Sequence, residues 1–420
     1  MRADSVGIRM SLAIDPIVSN ALFTLSLLPH FARVVRRTVS SQDSSEGPGL
    51  PFISVILALY DEPAEDIDMT IKSLLAQSYP LERYEIVCAL EPDDEVGIRW
   101  VGYWLKALGD TGVAARIVLS DGAVRSKPHA LNRGLPEVRG KYCVFYDAGD
   151  LIDCDQMEKA ITIMEEGEYD VCQARVLRDG SSLLSRFLWL DTCVWYSKYV
   201  PVMWGLCGGF PLSGEGLFVR TSVLKETGGF PEVLTEDALL GLILTARQKR
   251  FALVDSTVME KAPRHIGAHF KQKMRWYRGY MTCLGRLWTT DLPLRKKLPF
   301  ALIFAAPIVS MLAFLGWMTI GGTLIGLLSS SDGLTSLEWL SGGPADGFYY
   351  WSLILLSFGI PLVVGSSIHA SWSARMPRAA PFALLLPLYW IFVGVCSIAA
   401  LFRGTDHWAR TERWIGAPLD

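Results

Sequence analysis

The chain has 420 residues, a net charge of −3 at neutral pH and a hydrophobic content of 50%. A mean hydropathy of +0.28 is high for a soluble protein, so we expect part of the chain to lie in a membrane. The slight acidity, with a pI near 6.1, argues against a basic protein that binds nucleic acid. The eight cysteines form no Cys-x-x-Cys pair, and we expect them to be reduced core residues of a cytoplasmic domain.

The first apolar segment lies at residues 16–32 and contains several polar side chains. A membrane span, an interfacial helix and a signal sequence all fit this pattern, and the lack of a small-residue cleavage site favours a span. Three arginines between positions 33 and 37 place its C-terminal end in the cytoplasm. We therefore assign residues 1–37 to an N-terminal transmembrane or interfacial helix, and the polar residues 38–50 to a linker.

Residues 51–290 alternate short apolar runs with helix-like segments, which predicts βα units around a mostly parallel sheet. Strands are predicted at residues 53–59, 84–90 and 115–119 and directly before Asp147, with a helix at residues 66–77. This length is sufficient for a domain with its own core.

Charged side chains follow the strands of the predicted sheet. Glu62 follows the first strand, Glu91 and Asp94 follow the second, and Lys127 lies between the third strand and the one that ends at Asp147. Because the carboxyl ends of parallel strands meet at one edge, this pattern predicts a nucleotide site there. The carboxylates would accept hydrogen bonds from a ribose or base, and the lysine would neutralise a diphosphate. For Glu62 and Glu91 a plain solvent-facing role is the alternative.

The stretch Asp147-Ala148-Gly149-Asp150 follows the apolar run at residues 142–145. Asp147 and Asp150 at the end of a strand can hold a divalent cation and, through it, a diphosphate, since Mg²⁺ takes only one or two protein carboxylates. The residues of this tetrapeptide are also typical of a turn, which is the competing interpretation.

Thr235-Glu236-Asp237 precedes an apolar helix. Its simplest interpretation is helix N-capping. The functional interpretation makes Asp237 a general base that removes a proton from an acceptor hydroxyl.

Two aromatic segments come before the long apolar stretches. Residues 187–204 predict an interfacial segment, a sugar-binding groove or core packing. Gln272, Arg275 and Trp276 lie in a basic, aromatic stretch that alone resembles a membrane-surface helix. His265 and His269 have the spacing of a metal pair, but no third ligand is nearby.

Three long stretches contain no Asp, Glu, Lys or Arg: residues 298–331, 347–374 and 379–402. Each exceeds the roughly 20 residues needed to cross a bilayer, so we expect a C-terminal membrane region at residues 291–402. The alternative is that they are buried helices of a soluble protein.

The order of these motifs resembles that of the membrane-bound family 2 glycosyltransferases. The likeness covers roughly residues 52–276 and rests on Asp93-Asp94, Lys127-Pro128 with Asn132, Asp147-Ala148-Gly149-Asp150, Thr235-Glu236-Asp237 and Gln272-x-x-Arg275-Trp276. It implies the α/β GT-A fold, a Rossmann-like nucleotide-sugar domain with flanking transmembrane helices, and transfer with inversion at the anomeric carbon.

The resemblance also implies a role for each matched residue. Asp94, with Glu62 and Glu91, would hold the nucleoside, Lys127 would lie near the diphosphate, and Asp147 would bind Mg²⁺ or Mn²⁺. Asp237 would be the general base. The donor site would further include Glu236, Gln272, Arg275 and Trp276, the last three of which would position the diphosphate and the acceptor sugar.

One position departs from the family pattern Asp-x-Asp, because Gly149 occupies the place of the second Asp. Either Asp150 makes the second metal contact, or Asp147 and the diphosphate hold the metal alone. Glycine at this position is also found in ceramide glucosyltransferase-like enzymes, which keeps a lipid acceptor open.

Residues 403–420 resemble the gating tail of cellulose-synthase-like enzymes, through Trp408, Thr411 and Arg413. Such a tail must be cytoplasmic, whereas three simple spans would place it outside, so the last apolar stretch would have to be re-entrant or interfacial. The sequence leaves this question open.

We expect a multi-pass enzyme of the cell membrane with a cytoplasmic catalytic domain at residues 51–290. It would transfer a sugar from a nucleotide sugar, a UDP-sugar being favoured, to a growing β-linked polysaccharide. Transfer of a single sugar to a lipid acceptor is the alternative within this class. A non-catalytic membrane protein that binds a nucleotide sugar is the alternative of another class.

Overall fold

The computed structural model describes residues 49–109, 111–122, 124–179, 182–329, 360–373 and 377–402. The predicted N-terminal helix, the predicted linker up to residue 48 and the predicted gating tail lie outside these residues, so they stay predictions. The description therefore concerns the α/β region and part of the C-terminal apolar region.

The described residues contain one eight-stranded sheet with the strand order β3-β2-β1-β4-β7-β6-β8-β5. Strand β1 pairs in parallel with β2 and β4, β2 pairs in parallel with β3, and β6 pairs in parallel with β8. Strands β7 and β5 are antiparallel to their neighbours. The strands are β1 Ile53–Leu59, β2 Tyr84–Leu90, β3 Ala114–Leu119, β4 Tyr142–Tyr146, β5 Leu151–Ile152, β6 Val171–Asp179, β7 Leu217–Arg220 and β8 Phe251–Lys261.

The first four strands agree with the sequence prediction, the third starting one residue earlier at Ala114. Strands β2 and β4 are buried along their whole length, and β1 is buried at six of its seven positions. Apolar clusters lie on both faces of this part of the sheet, which explains why these strands read as continuous apolar runs instead of alternating patterns. The mostly parallel α/β prediction is confirmed for the half of the sheet that carries the site.

Helices connect the strands and cover the sheet. The predicted helix at residues 66–77 is found at Ala64–Leu75, directly after Pro63, whose fixed φ suits a helix start. The helices are α1 Ala64–Leu75, α2 Glu95–Leu108, α3 Lys127–Gly134, α4 Gln156–Glu166, α5 Leu183–Val194, α6 Val200–Cys207, α7 Thr221–Thr227, α8 Glu236–Ala246, α9 Ile266–Leu287, α10 Leu294–Phe304, α11 Ala306–Ser329, α12 Ile360–Ser373 and α13 Leu386–Phe402.

The aromatic segment at residues 187–204 is mainly core. It forms α5, a π-helical turn at Trp195–Tyr199 and α6. Phe187, Trp189 and Tyr196 are all buried, as expected for the packing interpretation.

The described residues cover only part of the three membrane spans that the sequence predicts in the C-terminal apolar region. Within the described ranges, Ala379–Phe402 is the single helical stretch long and apolar enough to cross a membrane. Helix α10 and the following Ala306–Met318 form a pair bent by 54°, which counts as a second span if the two halves cross together. Helix α12 has 14 residues, fewer than a span needs, and the earlier part of the predicted span at residues 347–374 lies outside the described residues.

Helix α9 joins the two regions because it packs against α8 on one side and against α10, α11 and α13 on the other. His269 on α9 is fully buried, and its Nε2 atom lies 2.9 Å from the hydroxyl of Tyr389 on α13. The rings of Tyr389 and Phe392 stack on the same histidine. The helix that carries Gln272, Arg275 and Trp276 is therefore packed against the C-terminal apolar helix.

Candidate active site

The site lies at the edge of the sheet where β1, β2 and β4 end. Lys127 begins helix α3, where the side chain of Ser126 caps the helix by accepting the backbone N–H of His129 at 3.2 Å. The Lys127 Nζ atom lies 2.6 Å from Asp147 Oδ1, and the lysine side chain is only 8% exposed. Burial alone would lower the pKa of Lys127, but the carboxylates of Asp147, Glu215 and Glu236 raise it, so the ammonium stays charged.

The loop after β4 is held by its own second aspartate. Gly149 has a φ of +87°, which favours glycine, and its N–H donates to the carbonyl of Asp66 at 3.0 Å. Asp150 is fully buried, and its Oδ2 atom accepts the backbone N–H of Asp147 at 2.8 Å. Thr70 donates to the carbonyl of Asp147 at 3.0 Å. One carboxylate oxygen of Asp150 thus takes part in the turn, while the side chain of Asp147 is directed to Lys127.

The two acidic residues after β2 make local contacts. Asp94 caps α2 by accepting the N–H of Gly97 at 2.9 Å, and its other oxygen accepts the N–H of Asp61 at 3.0 Å. Glu91 accepts a hydrogen bond from the hydroxyl of Ser120 at the end of β3. Glu62 lies half-buried at the end of β1, directly before α1. These residues share the predicted edge, where Asp94 and Glu91 fix the loops that would face a nucleoside.

Glu236 and Asp237 begin helix α8. The side chain of Thr235 makes no capping hydrogen bond, and Asp237 Oδ1 instead accepts the N–H of Ala238 at 2.7 Å. Burial raises the pKa of Glu236 to about 7, with the charge of Asp237 adding to the effect. Burial also raises the pKa of Asp237, while Lys127 and Arg275 oppose that rise.

Gly214 brings the two halves of the site together. A Cβ atom at this glycine would lie 3.0 Å from Lys127 Nζ and 3.5 Å from Asp237 Oδ2. The ammonium that faces Asp147 and the carboxylate at the start of α8 therefore border the same small space. Only a residue without a side chain leaves that space open.

The three motif residues of α9 point to different partners. The guanidinium of Arg275 lies in the field of Glu236, Asp147 and Asp237, which opposes the lowering of its pKa by burial. Gln272 is buried, with Oε1 3.5 Å from Nδ1 of His269. The ring of Trp276 lies under Arg178, whose Cζ atom is 4.7 Å from the ring centroid. Arg275 thus belongs to the cluster of Lys127, Asp147 and Asp237, whereas Gln272 and Trp276 face its surroundings.

Helix α9 packs closely against the start of α8 at Gly279. A Cβ atom at Gly279 would lie 2.4 Å from Cγ2 of Thr235, so any larger residue would push α9 away from the start of α8. This contact sets Arg275 beside Glu236 and Asp237.

Sequence reasoning missed several residues around the site. Glu215 follows Gly214, and burial together with Asp147 and Glu260 raises its pKa to about 8. Arg178 on β6 and Glu260 on β8 are register partners joined by an ion pair of 2.7 Å. The sequence held no spacing signal for this pair, because the two strands are joined only by long-range pairing. For Glu215 the flanking glycines, Gly214 and Gly216, were the available signal.

The carboxylates at this edge are suited to a divalent cation that, like Mg²⁺, needs few protein ligands. Among the residues that the structure describes, no group of three or more His, Cys, Asp or Glu side chains could form a metal cage. Mg²⁺ typically binds one or two carboxylates and completes its shell with substrate phosphates and water, and Asp147 provides one such carboxylate at the predicted edge. His265 is used otherwise, since its Nδ1 atom accepts the N–H of Ala268 at 3.1 Å, and burial lowers the pKa of His269 to about 3.

The arrangement combines cations, a single carboxylate at a strand end and a second carboxylate, that of Asp237, whose pKa is raised by burial. Lys127 and Arg275 can neutralise a leaving anion, and Asp237 can accept a proton from an attacking hydroxyl. This combination is suited to displacement of a diphosphate by a hydroxyl group.

Comparisons with known proteins identify the fold and the family. Residues 142–402 match the profile of Glycosyl transferase family group 2. The mannosyltransferase PcManGT from Pyrobaculum calidifontis, solved in complex with GDP-Man and Mn²⁺, is 18% identical, with a TM-score of 0.55 over 90% of this chain and 99% of that chain. TarS 1–349 from S. aureus, solved with UDP-GlcNAc, is 15% identical over 82% of this chain and 90% of that chain, with a TM-score of 0.44. No curated protein matches the sequence significantly. The mixed α/β GT-A-like fold is thereby confirmed.

Proposed function

The chain belongs to glycosyl transferase family group 2, and we propose that it is an inverting enzyme that transfers a sugar from a nucleotide sugar to a growing β-linked polysaccharide. Membership of the family makes it a glycosyltransferase, which removes the purely binding role from consideration. The donor, the acceptor and the roles of single residues belong to the proposal.

The observation that carries the proposal is that Lys127 and Asp237 both lie next to Gly214. A cation suited to a diphosphate and a carboxylate with a raised pKa border one space, and Arg275 lies in the field of that carboxylate. A transfer of this kind uses both groups, because a base must act on the acceptor hydroxyl while countercharge meets the departing diphosphate.

In the proposed reaction an acceptor hydroxyl attacks the anomeric carbon and its proton passes to Asp237. The bond from that carbon to the diphosphate breaks, and Lys127 and Arg275 neutralise the departing charge. Asp147 would hold the divalent cation, Mg²⁺ or Mn²⁺, which supplies further countercharge when it is bound. We assign no metal contact to Asp150, whose carboxylate holds the loop.

Glu62, Glu91 and Asp94 line the edge where the nucleoside would bind, and Glu236, Gln272 and Trp276 surround the diphosphate and acceptor region. The structural neighbour PcManGT is described as binding GDP-Man and Mn²⁺, which supports a nucleotide sugar and a divalent cation for the same fold. A UDP-sugar remains our first choice of donor, with GDP-mannose as the second.

The acceptor has a second candidate, a lipid. The motif residues on α9 resemble those of polysaccharide synthases, but α9 also packs against α13, which belongs to the stretch long and apolar enough to cross a membrane. A lipid acceptor held at the membrane would lie near this helix. We propose in either case that the enzyme resides in the cell membrane, with several spans and a cytoplasmic site.

The test is to incubate the purified full chain in detergent or nanodiscs with radiolabelled UDP-glucose, UDP-N-acetylglucosamine and GDP-mannose, with Mn²⁺ or Mg²⁺. A ladder of products from one donor supports polysaccharide synthesis. A single chloroform-soluble product instead supports transfer of one sugar to a lipid acceptor. No transfer from any donor, under conditions in which nucleotide binding is detected, overturns it.

A further inference from the structure

The ring of Trp276 is contacted by two cations from different parts of the fold. Arg178 on β6 places its Cζ atom 4.7 Å from the ring centroid, and Lys273 on α9 places its Nζ atom 5.4 Å from it. Both distances lie within the range of cation–π attraction, which extends to about 6 Å. The half-buried tryptophan is thus held by charge as well as by packing.

Each cation is fixed by a carboxylate of its own. Arg178 Nε lies 2.7 Å from Glu260 Oε2, and the side chains of Arg178 and Glu260 are 13% and 3% exposed. Lys273 Nζ lies 2.9 Å from Asp191 Oδ2 on α5, with exposed fractions of 10% and 49%. The positions of the two cations are therefore set by β8 and α5, independently of the tryptophan.

This arrangement argues against a direct role of either cation in binding diphosphate. The cations that face Asp147 and Asp237 are Lys127 and Arg275, whereas Arg178 and Lys273 are engaged by Glu260 and Asp191. Their shared contact is the ring of Trp276. An aromatic ring is a platform for a sugar only when its plane is fixed, since stacking requires a defined orientation.

We propose that Arg178 and Lys273 are positioning residues, which fix the ring of Trp276 as the platform for the acceptor sugar. The inference rests on the proposed function for the acceptor, but the orientation of the ring does not depend on it. Loss of either cation frees the ring and weakens acceptor binding, while donor binding through Lys127 and Arg275 is retained.

The test uses protein labelled with 5-fluorotryptophan and observed by ¹⁹F NMR in detergent without substrate. The chain has 14 tryptophans, and Trp276→Phe identifies the resonance of interest. Lys273→Met is the milder variant, because the carboxylate that loses its partner, that of Asp191, is 49% exposed and can be solvated by water. Arg178→Met is combined with Glu260→Gln so that no buried charge remains unpaired. Lys273→Arg keeps the cation and serves as the conservative variant.

The matched control is Arg175→Met, which removes another arginine of β6 from its ion pair with Asp255 of β8. We expect the Trp276 resonance to shift by more than its linewidth in both test variants, and to stay in place in the control and in Lys273→Arg. An unchanged resonance in Lys273→Met and in Arg178→Met/Glu260→Gln overturns the proposal.

The activity test separates this inference from the proposed function. With cellohexaose or mannohexaose as acceptor, we expect Lys273→Met to raise the acceptor KM about tenfold and to leave the donor Kd within twofold. In a Trp276→Phe background the same substitution should add little, because its effect passes through the ring. A fully additive loss means that Lys273 acts by itself and overturns the proposal. Absence of transfer from every donor would defeat the proposed function and leave the NMR result to decide the positioning role.

Discussion

Asp150 accepts the backbone N–H of Asp147 through its Oδ2 atom at 2.8 Å, so the last carboxylate of the Asp-Ala-Gly-Asp loop stabilises the loop itself. The same loop is fastened by Thr70, and the carboxylate of Asp147 is turned towards Lys127. From these contacts we expect the two aspartates to have separable roles, one conformational and one electrostatic.

Substitution of these two residues should affect the Mn²⁺ requirement of the enzyme differently. Asp150→Ala should lower the free energy of unfolding by about 1–3 kcal/mol, because a buried N–H loses its acceptor, and should leave the Mn²⁺ concentration for half-maximal activity unchanged. Asp147→Asn should raise that concentration at least about tenfold, and it should also lower the free energy of unfolding, because the buried ammonium of Lys127 loses its closest carboxylate. Thermal unfolding and Mn²⁺ titration of the transfer rate measure the two effects. A rise in the metal requirement for Asp150→Ala would restore it as a metal ligand.

Asp237→Asn should lower kcat by about 100- to 10,000-fold, because the amide cannot accept the proton of the acceptor hydroxyl. Donor affinity should change little, since Lys127 and Arg275 are intact. Glu232→Gln, an exposed carboxylate close by in the chain, is the control and should keep wild-type turnover. Transfer retained in Asp237→Asn would exclude this residue as the base.

Gly214→Ala should disturb the donor site specifically. The new methyl group would lie 3.0 Å from Lys127 Nζ, so the ammonium must shift away from its place beside Asp147. We expect donor Kd to rise about tenfold, as for loss of one charge-assisted contact. Gly102→Ala on α2 meets nothing within 4 Å and should instead stabilise the protein by about 0.5–1 kcal/mol. Isothermal titration with UDP and GDP measures the difference, and equal affinities for both variants would contradict the assignment.

The buried Glu236 makes stability depend on pH. Its pKa is raised from 4.5 to about 7, so the folded state holds the proton more tightly than the unfolded chain. The corresponding stabilisation is complete below pH 4.5 and is lost as the pH rises to about 7. Glu236→Gln should remove this dependence and raise the free energy of unfolding at pH 8 on the order of 1 kcal/mol. Urea unfolding of both proteins at pH 5 and pH 8 measures the sign of this change. A Glu236→Gln variant that is less stable than the wild type at pH 8 would contradict the prediction.

The parts of the fold with local signals were predictable from the sequence. Strands β1 and β2 were delimited correctly because continuous apolar runs end at charged or turn residues, and Asp147 and Lys127 were placed at the right edge for the same reason. The antiparallel strands β5 and β7 were not predicted. Strand β5 has two residues and β7 has four, too few to show a period.

The surroundings of the site depended on pairing between distant strands. Arg178 and Glu260 lie 82 positions apart, and their contact follows from the register of β6 on β8. The role of Asp150 was ambiguous in the sequence because the same residues make a turn and a metal site. The structure adds that Asp150 is fully buried and bonded within its own loop, which a single tetrapeptide does not report.

The contact between His269 and Tyr389 has a consequence for the synthesis of the protein. Every residue assigned to the site has been synthesised once the chain has been made up to residue 276, yet the histidine on the same helix is covered by Tyr389 and Phe392, more than a hundred positions later. This side of α9 is therefore covered only when the last apolar helix has been made and has packed against it.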